Sequence, residues 1–120
     1  MADSIKSARP DFIELPVGDI AAARTFYENA FGWTMTAFGP SYACTLTGDV
    51  DVGLQADPPE KSAAPLVVIQ VPDLEAALGT VVAAGGIVTR EIFAFPGGRR
   101  FHFRDPAGNE LAAHKPDPAE

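Results

Sequence analysis

The chain has a single cysteine, Cys44, in 120 residues. One thiol excludes an internal disulfide and a thiolate metal cluster, and it suits a reducing cytoplasm, the location expected here. Cys44 reads as a small buried hydrophobe in a strand rather than a nucleophile. Basic residues are also few. Nine Lys and Arg stand against sixteen Asp and Glu, for a net charge of −7. Apart from Arg99-Arg100 they are scattered, so the basic stripe of a nucleic-acid footprint is missing. The acidity serves solubility first and could favour a cationic ligand. No apolar run reaches the length of a membrane span. Met1 to Arg9 contain no apolar stretch of a secretory signal. Neither a nucleic-acid nor a membrane partner is expected. No Ser-His-Asp or Cys-His nucleophilic arrangement is written, and no glycine-rich phosphate loop precedes a helix.

What the chain does contain is one pattern written twice. Val17, Asp19, Ala22, Ala23, Ala30 and Gly32 recur as Val71, Asp73, Ala76, Ala77, Ala84 and Gly86. Ile13 and Leu15 before the first copy match Val67 and Ile69 before the second. A repeat of this length is a supersecondary unit. Its length and its 47% hydrophobic, 21% charged composition make the chain one globular domain, residues 1–120.

Each copy reads as βαβββ, which makes the fold α+β. In the first, Phe12–Leu15 is a strand running into Pro16. Asp19 caps a helix whose apolar face is Ile20, Ala23, Phe26, Tyr27, Ala30 and Phe31, and Gly32 stops it. Arg24 and Glu28 lie four apart on its polar face. Strands follow at 33–38, 42–47 and 51–55, with turns at Gly39–Ser41 and Gly48-Asp49. Residues 56–65 are polar and proline-rich and read as a linker. The second copy has a strand at 66–71 and a helix capped by Asp73 with Leu74, Ala77, Leu78, Val81 and Val82 on its apolar face. Gly85-Gly86 end it. Strands follow near 87–94, 100–104 and 110–114, turned by Pro96–Gly98 and Asp105–Asn109. Residues 1–9 and the tail from Lys115 read as loose. The modules thus cover about 10–55 and 66–115. One such module is too small to bury its sheet alone. The two are expected to pack together, their sheets forming a curved, cup-shaped half-barrel with the helices outside and a pocket within.

Six pieces in this order carry a family resemblance. They are Leu15-Pro-Val-Gly-Asp19 running into Phe26-Tyr-Glu28 and Phe31-Gly-Trp33, then Val71-Pro-Asp-Leu74, Phe95-Pro-Gly-Gly98 and Asp105-Pro-Ala-Gly-Asn109. With them the chain resembles the vicinal oxygen chelate superfamily: glyoxalase I, extradiol dioxygenases, and the fosfomycin and bleomycin resistance proteins. The resemblance covers roughly residues 11–114. It implies paired βαβββ modules, a cup-shaped site and, often, a homodimer. It also implies a divalent metal, held by His, Gln or Glu on the first and last strands of each module. Aligned on the repeat, the first-strand positions fall at Phe12 and Leu66; counted from the Asp105-Pro106 turn, the last-strand position falls at Ala112, and its equivalent in the first module lies near Gly53. None has a ligating side chain, so no metal and no other cofactor is expected at them. A displaced site using Glu14, Glu110 or His114 stays open.

Alternation along the strands then nominates the lining. If Phe12 faces the cup, so does Glu14, whose repeat partner is Val68. Glu14 reads as a general base, as an anchor for a cation, or as one half of a structural salt bridge. If Ala112 points inward, so do Glu110 and His114. His114 is the other candidate acid/base, with a satisfied core group as the competing reading. Arg100 and His102 share a strand face opposite Phe101 and Phe103 and are candidates for gripping a carboxylate or phosphate. Tyr42 and Phe95, near turns, can stack on a flat ligand. The ligand-binding set is therefore Phe12, Tyr42, Leu66, Phe95, Arg100, His102, Glu110 and Ala112, and the catalytic pair Glu14 and His114. The expected function is metal-independent binding of a small organic molecule. The alternative is a glyoxalase-like lyase or isomerase, or a dioxygenase-type enzyme, with an atypical site. Expected partners are that small molecule and a second copy of the chain.

Overall fold

A computed structural model describes residues 8–118. The chain is α+β and divides into two compact units, one of residues 11–66 and one of residues 67–118 with residues 8–10. In chain order the elements are β1 (Arg9–Pro16), α1 (Ile20–Phe31), β2 (Thr36–Ala37), β3 (Tyr42–Cys44), β4 (Asp51–Gln55), β5 (Leu66–Gln70), α2 (Leu74–Ala83), β6 (Ile87–Phe95), β7 (Gly98–Arg104) and β8 (Glu110–Pro116). Each half is a βαβββ module, as the repeat requires. The strand order is β2-β3-β4-β1 in the first and β5-β8-β7-β6 in the second. In each, the strand before the helix runs parallel to the last strand, and the other pairs are antiparallel.

The repeat persists down to single atoms. Asp19 accepts from the Ala22 N–H at 3.0 Å, and Asp73 from the Ala76 N–H at 3.0 Å. Both caps are extended, with φ of −140° and −141°. Each satisfies an otherwise orphaned donor of the first helical turn. The Val17 N–H donates to Gln55 O at 3.0 Å and the Val71 N–H to His114 O at 2.9 Å, closing the two parallel pairs alike. Gly32 ends α1 at φ 71°, a left-handed conformation costly for any residue with a Cβ.

Register fixes which positions correspond. Glu14 lies opposite Gly53, and Val68 opposite Ala112. Cys44 pairs with Gly53 as His102 pairs with Ala112, and Tyr42 pairs with Gln55 as Arg100 pairs with His114. Gly53 is therefore the first-module counterpart of Ala112.

The second unit has the more developed core. Val71, Leu74, Phe101 and Ala113 are buried together, with Ile69, Ala77, Leu78, Val81, Ile92 and Phe103 packed around them. Helix α2 lies on β6, β7 and β8. Odd-numbered residues of β7 face it. Phe101 and Phe103 enter the core, and Arg99 pairs with Glu75 on the helix at 2.7 Å. By alternation Arg100, His102 and Arg104 project from the other face.

In the first unit Ala43 and Leu54 are fully buried, and α1 packs on β3 and β4. The apolar face expected for α1 is corrected. Ile20, Ala23 and Tyr27 are half-buried, but Phe26 is 58% and Phe31 62% exposed, and Ala30 is exposed. The aromatic rings gather on one another instead. Tyr27 stacks on Trp33 at 5.2 Å and meets Phe26 edge-on at 5.0 Å. Arg24 takes the inward place, donating to Met35 O at 2.9 Å. The same contacts shorten the strand expected at 33–38 to Thr36-Ala37. Trp33 serves the aromatic cluster and Met35 the arginine, so neither joins the ladder.

The strand expected at 42–47 stops at Cys44, because the Asp51 carboxylate gathers the next residues into a loop. It accepts from Thr45 Oγ1 at 2.7 Å, the Thr47 N–H at 2.7 Å, Thr47 Oγ1 at 2.8 Å and the Gly48 N–H at 3.0 Å. Residues 56–65 are tied down rather than free. Ala56 N–H donates to Ser41 O at 2.9 Å and Lys61 Nζ to Val17 O at 3.3 Å. The tail is also less loose than expected. Lys115 and Pro116 belong to β8, and the Asp117 N–H donates to Gly97 O at 2.8 Å. Of the expected N-terminal arm, Arg9 lies in β1, Ala8 packs against the core of the second unit, and residues 1–7 lie outside the described residues.

Candidate functional site

The face of the second module's strands away from α2 collects ionisable and aromatic side chains in register. Phe93, Arg100, His114 and Gln70 stand abreast on β6, β7, β8 and β5. The next row is Arg90, His102, Ala112 and Val68. Arg100 is 8% exposed and His102 5% exposed. A core has no use for two such groups, so their burial needs a reason. Rings flank them. The Arg90 guanidinium lies 3.6 Å from the Phe93 ring centre, and the Arg100 guanidinium 5.4 Å from Phe93 and 5.5 Å from Phe95. The His102 and Phe93 rings are 5.7 Å apart. Arg104 is exposed and donates to Gly108 O at 3.3 Å.

His102 is the best-defined polar group of this face. Its Nδ1 lies 3.5 Å from Glu110 Oε2, which also accepts from Thr89 Oγ1 at 3.1 Å. Its Nε2 is buried without a hydrogen-bond partner. Burial, then the neighbouring Arg100 charge, hold its pKa below the ordinary 6.5, against the opposing pull of Glu110. The ring is therefore neutral near pH 7. With Nδ1–H directed at Glu110, Nε2 presents a lone pair. Such a neutral, carboxylate-oriented imidazole can accept a hydrogen bond or a proton.

The corresponding face of the first unit is less charged. Glu14 is buried on it, opposite Gly53. The Phe12 ring and the Tyr42 hydroxyl close over Gly53, so that a Cβ at 53 would lie 2.7 Å from Phe12 Cζ. Gln55 Oε1 accepts from the Asp57 N–H at 2.9 Å. Burial, then the Asp51 charge, push the Cys44 thiol up. The pKa of Asp51 is low. Burial alone would raise it, but the four hydrogen bonds of its loop prevail. A hollow of about 410 Å³ lies elsewhere in this unit, beside the end of α1. It is lined by Trp33, Leu46, Val50 and Val52 together with threonine hydroxyls, and by no ionisable side chain.

The divalent metal implied by the resemblance does not fit these residues. Phe12, Gly53, Leu66 and Ala112 have no donor atoms in their side chains, and the space beside Gly53 is taken by an aromatic ring and a phenol. Among the described residues no three His, Cys, Asp or Glu side chains converge as a metal set would. Of the expected site residues, Arg100, His102, Glu110, Ala112 and His114 share one face with Phe95 beside them. Phe12, Glu14 and Tyr42 share the other module's face. Leu66 is fully buried at the start of β5.

Two residues of the second face, Arg90 and Phe93, escape sequence reasoning. They are three apart, which in a regular strand puts them on opposite faces. Strand β6 is irregular between Val88 and Arg90 and again between Arg90 and Phe93, and those irregularities bring both to one side. Nothing in Thr89-Arg-Glu-Ile-Phe93 announces a bulge.

Comparisons with known proteins agree with this architecture. A solved hypothetical protein from Bacillus halodurans C-125 superposes with a TM-score of 0.77 at 16% identity, covering 95% of this chain and 98% of that one. Methylmalonyl-CoA epimerase from Mycobacterium tuberculosis gives 0.71 at 16% identity, covering 91% and 88%. A glyoxalase/bleomycin resistance protein/dioxygenase superfamily member from Vibrio splendidus 12B01 gives 0.67 at 20%, covering 90% and 98%. These likenesses concern the fold alone. A search of curated proteins finds no match. The family model described as Glyoxalase/Bleomycin resistance protein/Dioxygenase superfamily matches residues 9–113, and the chain belongs to that superfamily.

Proposed function

We propose that this chain binds a small organic molecule on the helix-free faces of its modules, without a metal ion. The supporting observation is the surface of the second module. Buried Arg100 and His102 sit among Arg90, Phe93 and Phe95, a polar and aromatic combination suited to orienting a ligand. Metal independence is supported by the donor-free side chains at Phe12, Gly53, Leu66 and Ala112. The test is a thermal-shift screen of small molecules before and after exhaustive chelation, alongside elemental analysis. Binding that survives chelation supports the reading. A stoichiometric divalent metal, or binding abolished by the chelator, refutes it.

A second reading, a lyase, isomerase or dioxygenase-type enzyme with an atypical site, is favoured by one feature. His102 is neutral and oriented by Glu110, as a proton acceptor must be. Glu14 and His114 are the other candidate groups. In an enzyme Glu14→Gln lowers kcat at unchanged affinity, whereas in a binding protein it alters affinity alone. The reading includes a homodimer in the cytoplasm. Exposed Phe26, Phe31, Leu46 and Val50 on the first module support pairing with a second copy. No helix among the described residues is long and apolar enough to cross a membrane.

A further inference from the structure

We infer that the hollow beside the end of α1 binds an organic cation, a substituted ammonium carrying an apolar group. The hollow shares no residue with the ligand surfaces proposed above, so the inference stands apart from that reading.

Space is the first argument. The hollow measures about 410 Å³, within the size of small-molecule pockets. On its wall Leu46 and Val50 are 66% and 49% exposed, and Val52 is half-buried. Uncovered apolar walls gain by receiving an apolar group. A bare metal ion, which needs a shell of oxygen ligands, gains nothing from them.

The sign of charge is the second. The lining contains no basic side chain. Gly32, the residue that ends α1, belongs to it, and the last turn of α1 carries no basic residue. The negative end of the helix dipole is therefore uncompensated there. Arg24, the one basic residue of α1, is held by Glu28 at 3.6 Å and donates to Met35 O at 2.9 Å. Thr45 and Thr47, also in the lining, each commit the hydroxyl proton to the Asp51 carboxylate, at 2.7 and 2.8 Å. To a ligand they offer only lone pairs. Burial works against the charge on Asp51, but the hydrogen bonds of its loop hold its pKa low, so it is ionised at neutral pH. A cation is drawn by the helix end, by Asp51 and by the net charge of −7. An anion is opposed by all three, and a neutral molecule gains from none.

The ring is the third. Trp33 lines the hollow, and indole is the side chain that attracts cations best. It is set in place before any ligand arrives, stacked on Tyr27 at 5.2 Å and 7° and packed on Phe31 at 5.5 Å. A ring already ordered costs a ligand little entropy.

Trp33 is the only tryptophan of the chain, so its emission reports this hollow directly. Titrations of the full chain with benzyltrimethylammonium, benzyl alcohol and phenylacetate test the inference. The cation is expected to give a saturable change, the alcohol to bind about tenfold more weakly, and phenylacetate not to bind. Raising the ionic strength should weaken the cation and leave the alcohol unaffected. Val50→Lys places a like charge on the wall and should weaken the cation on the order of tenfold, while Val50→Gln stays within about threefold. Val82→Lys adds the same charge on α2, at a residue 52% exposed, and leaves affinity unchanged. The alcohol or phenylacetate binding as tightly as the cation overturns the inference, and so do equal losses in the two lysine variants. If Val50→Lys does not fold, the three probes on the unmodified chain decide. An emission that ignores every probe also overturns it. If that emission moves to the blue as protein concentration rises, a second copy covers the hollow instead. Neither result touches the proposed binding function, which the thermal-shift screen decides.

Discussion

Replacing Phe101 by alanine should unfold the second module more than any aromatic truncation in the first. Phe101 is fully buried and packs with Val71, Leu74 and Ala113 beneath α2, with Ile92 and Phe103 alongside. Removing a ring from such a site costs the transfer free energy of its atoms and leaves a cavity, about 3–5 kcal/mol together. For a chain of this size each kcal/mol lowers Tm by about 4 °C, so the expected loss is roughly 10–20 °C. Phe31→Ala is the contrast. Sequence periodicity puts Phe31 on the buried face of α1, but it is 62% exposed and touches Trp33 at 5.5 Å between ring centres. It also stacks on Tyr27 at 6.3 Å, and the loss of these two largely solvated ring contacts should cost about 1 kcal/mol. Urea unfolding followed by far-UV circular dichroism measures both at constant m-value. Equal losses in the two variants, or a loss under about 1 kcal/mol for Phe101→Ala, would refute the packing described here.

Two further outcomes follow from buried titratable groups. Below pH 6.5 the unfolded chain takes up a proton at position 102 before the folded chain does. Stability is thus fully present above pH 6.5 and falls as the pH drops from there through the depressed folded pKa of His102. His102→Gln should flatten this slope in urea midpoints taken from pH 7.5 to 5, and an unchanged slope or an imidazole titrating above 6.5 by NMR contradicts the assignment. Cys44 is buried and its thiol is pushed up by burial and by Asp51, so iodoacetamide should label it only when the chain is denatured; labelling of the native protein at the rate of a free thiol would contradict that.

The modules were legible because both copies use the same residues for the same atoms. Asp19 and Asp73 cap identically, and Val17 and Val71 close equivalent strand pairs. Strand alternation also placed Arg100 and His102 opposite Phe101, and Glu110 and Ala112 beside them. What stayed hidden was settled by contacts distant in sequence. Arg24 reaches Met35 and displaces the aromatic face of α1, and Asp51 reaches back to Thr45 and ends β3 early. Neither side chain advertises its partner. Arg90 and Phe93 were masked by the irregular register of β6, where counting by twos fails. Gly53 could be matched to Ala112 only loosely by spacing, since the loops before them differ in length, and the strand register makes the match firm.

Arg99 and Arg100 are neighbours in the chain that serve opposite sides of β7. Point substitution at 100, 102 or 104 therefore acts on the helix-free face and leaves the residues that pack beneath α2 in place. Gaining or losing one residue inside the strand has the opposite effect. It would turn Phe101 outward and drive a guanidinium against Leu74, an exchange no small module survives. Diversity across relatives should thus concentrate at alternate positions, while the number of residues between the two turns stays constant.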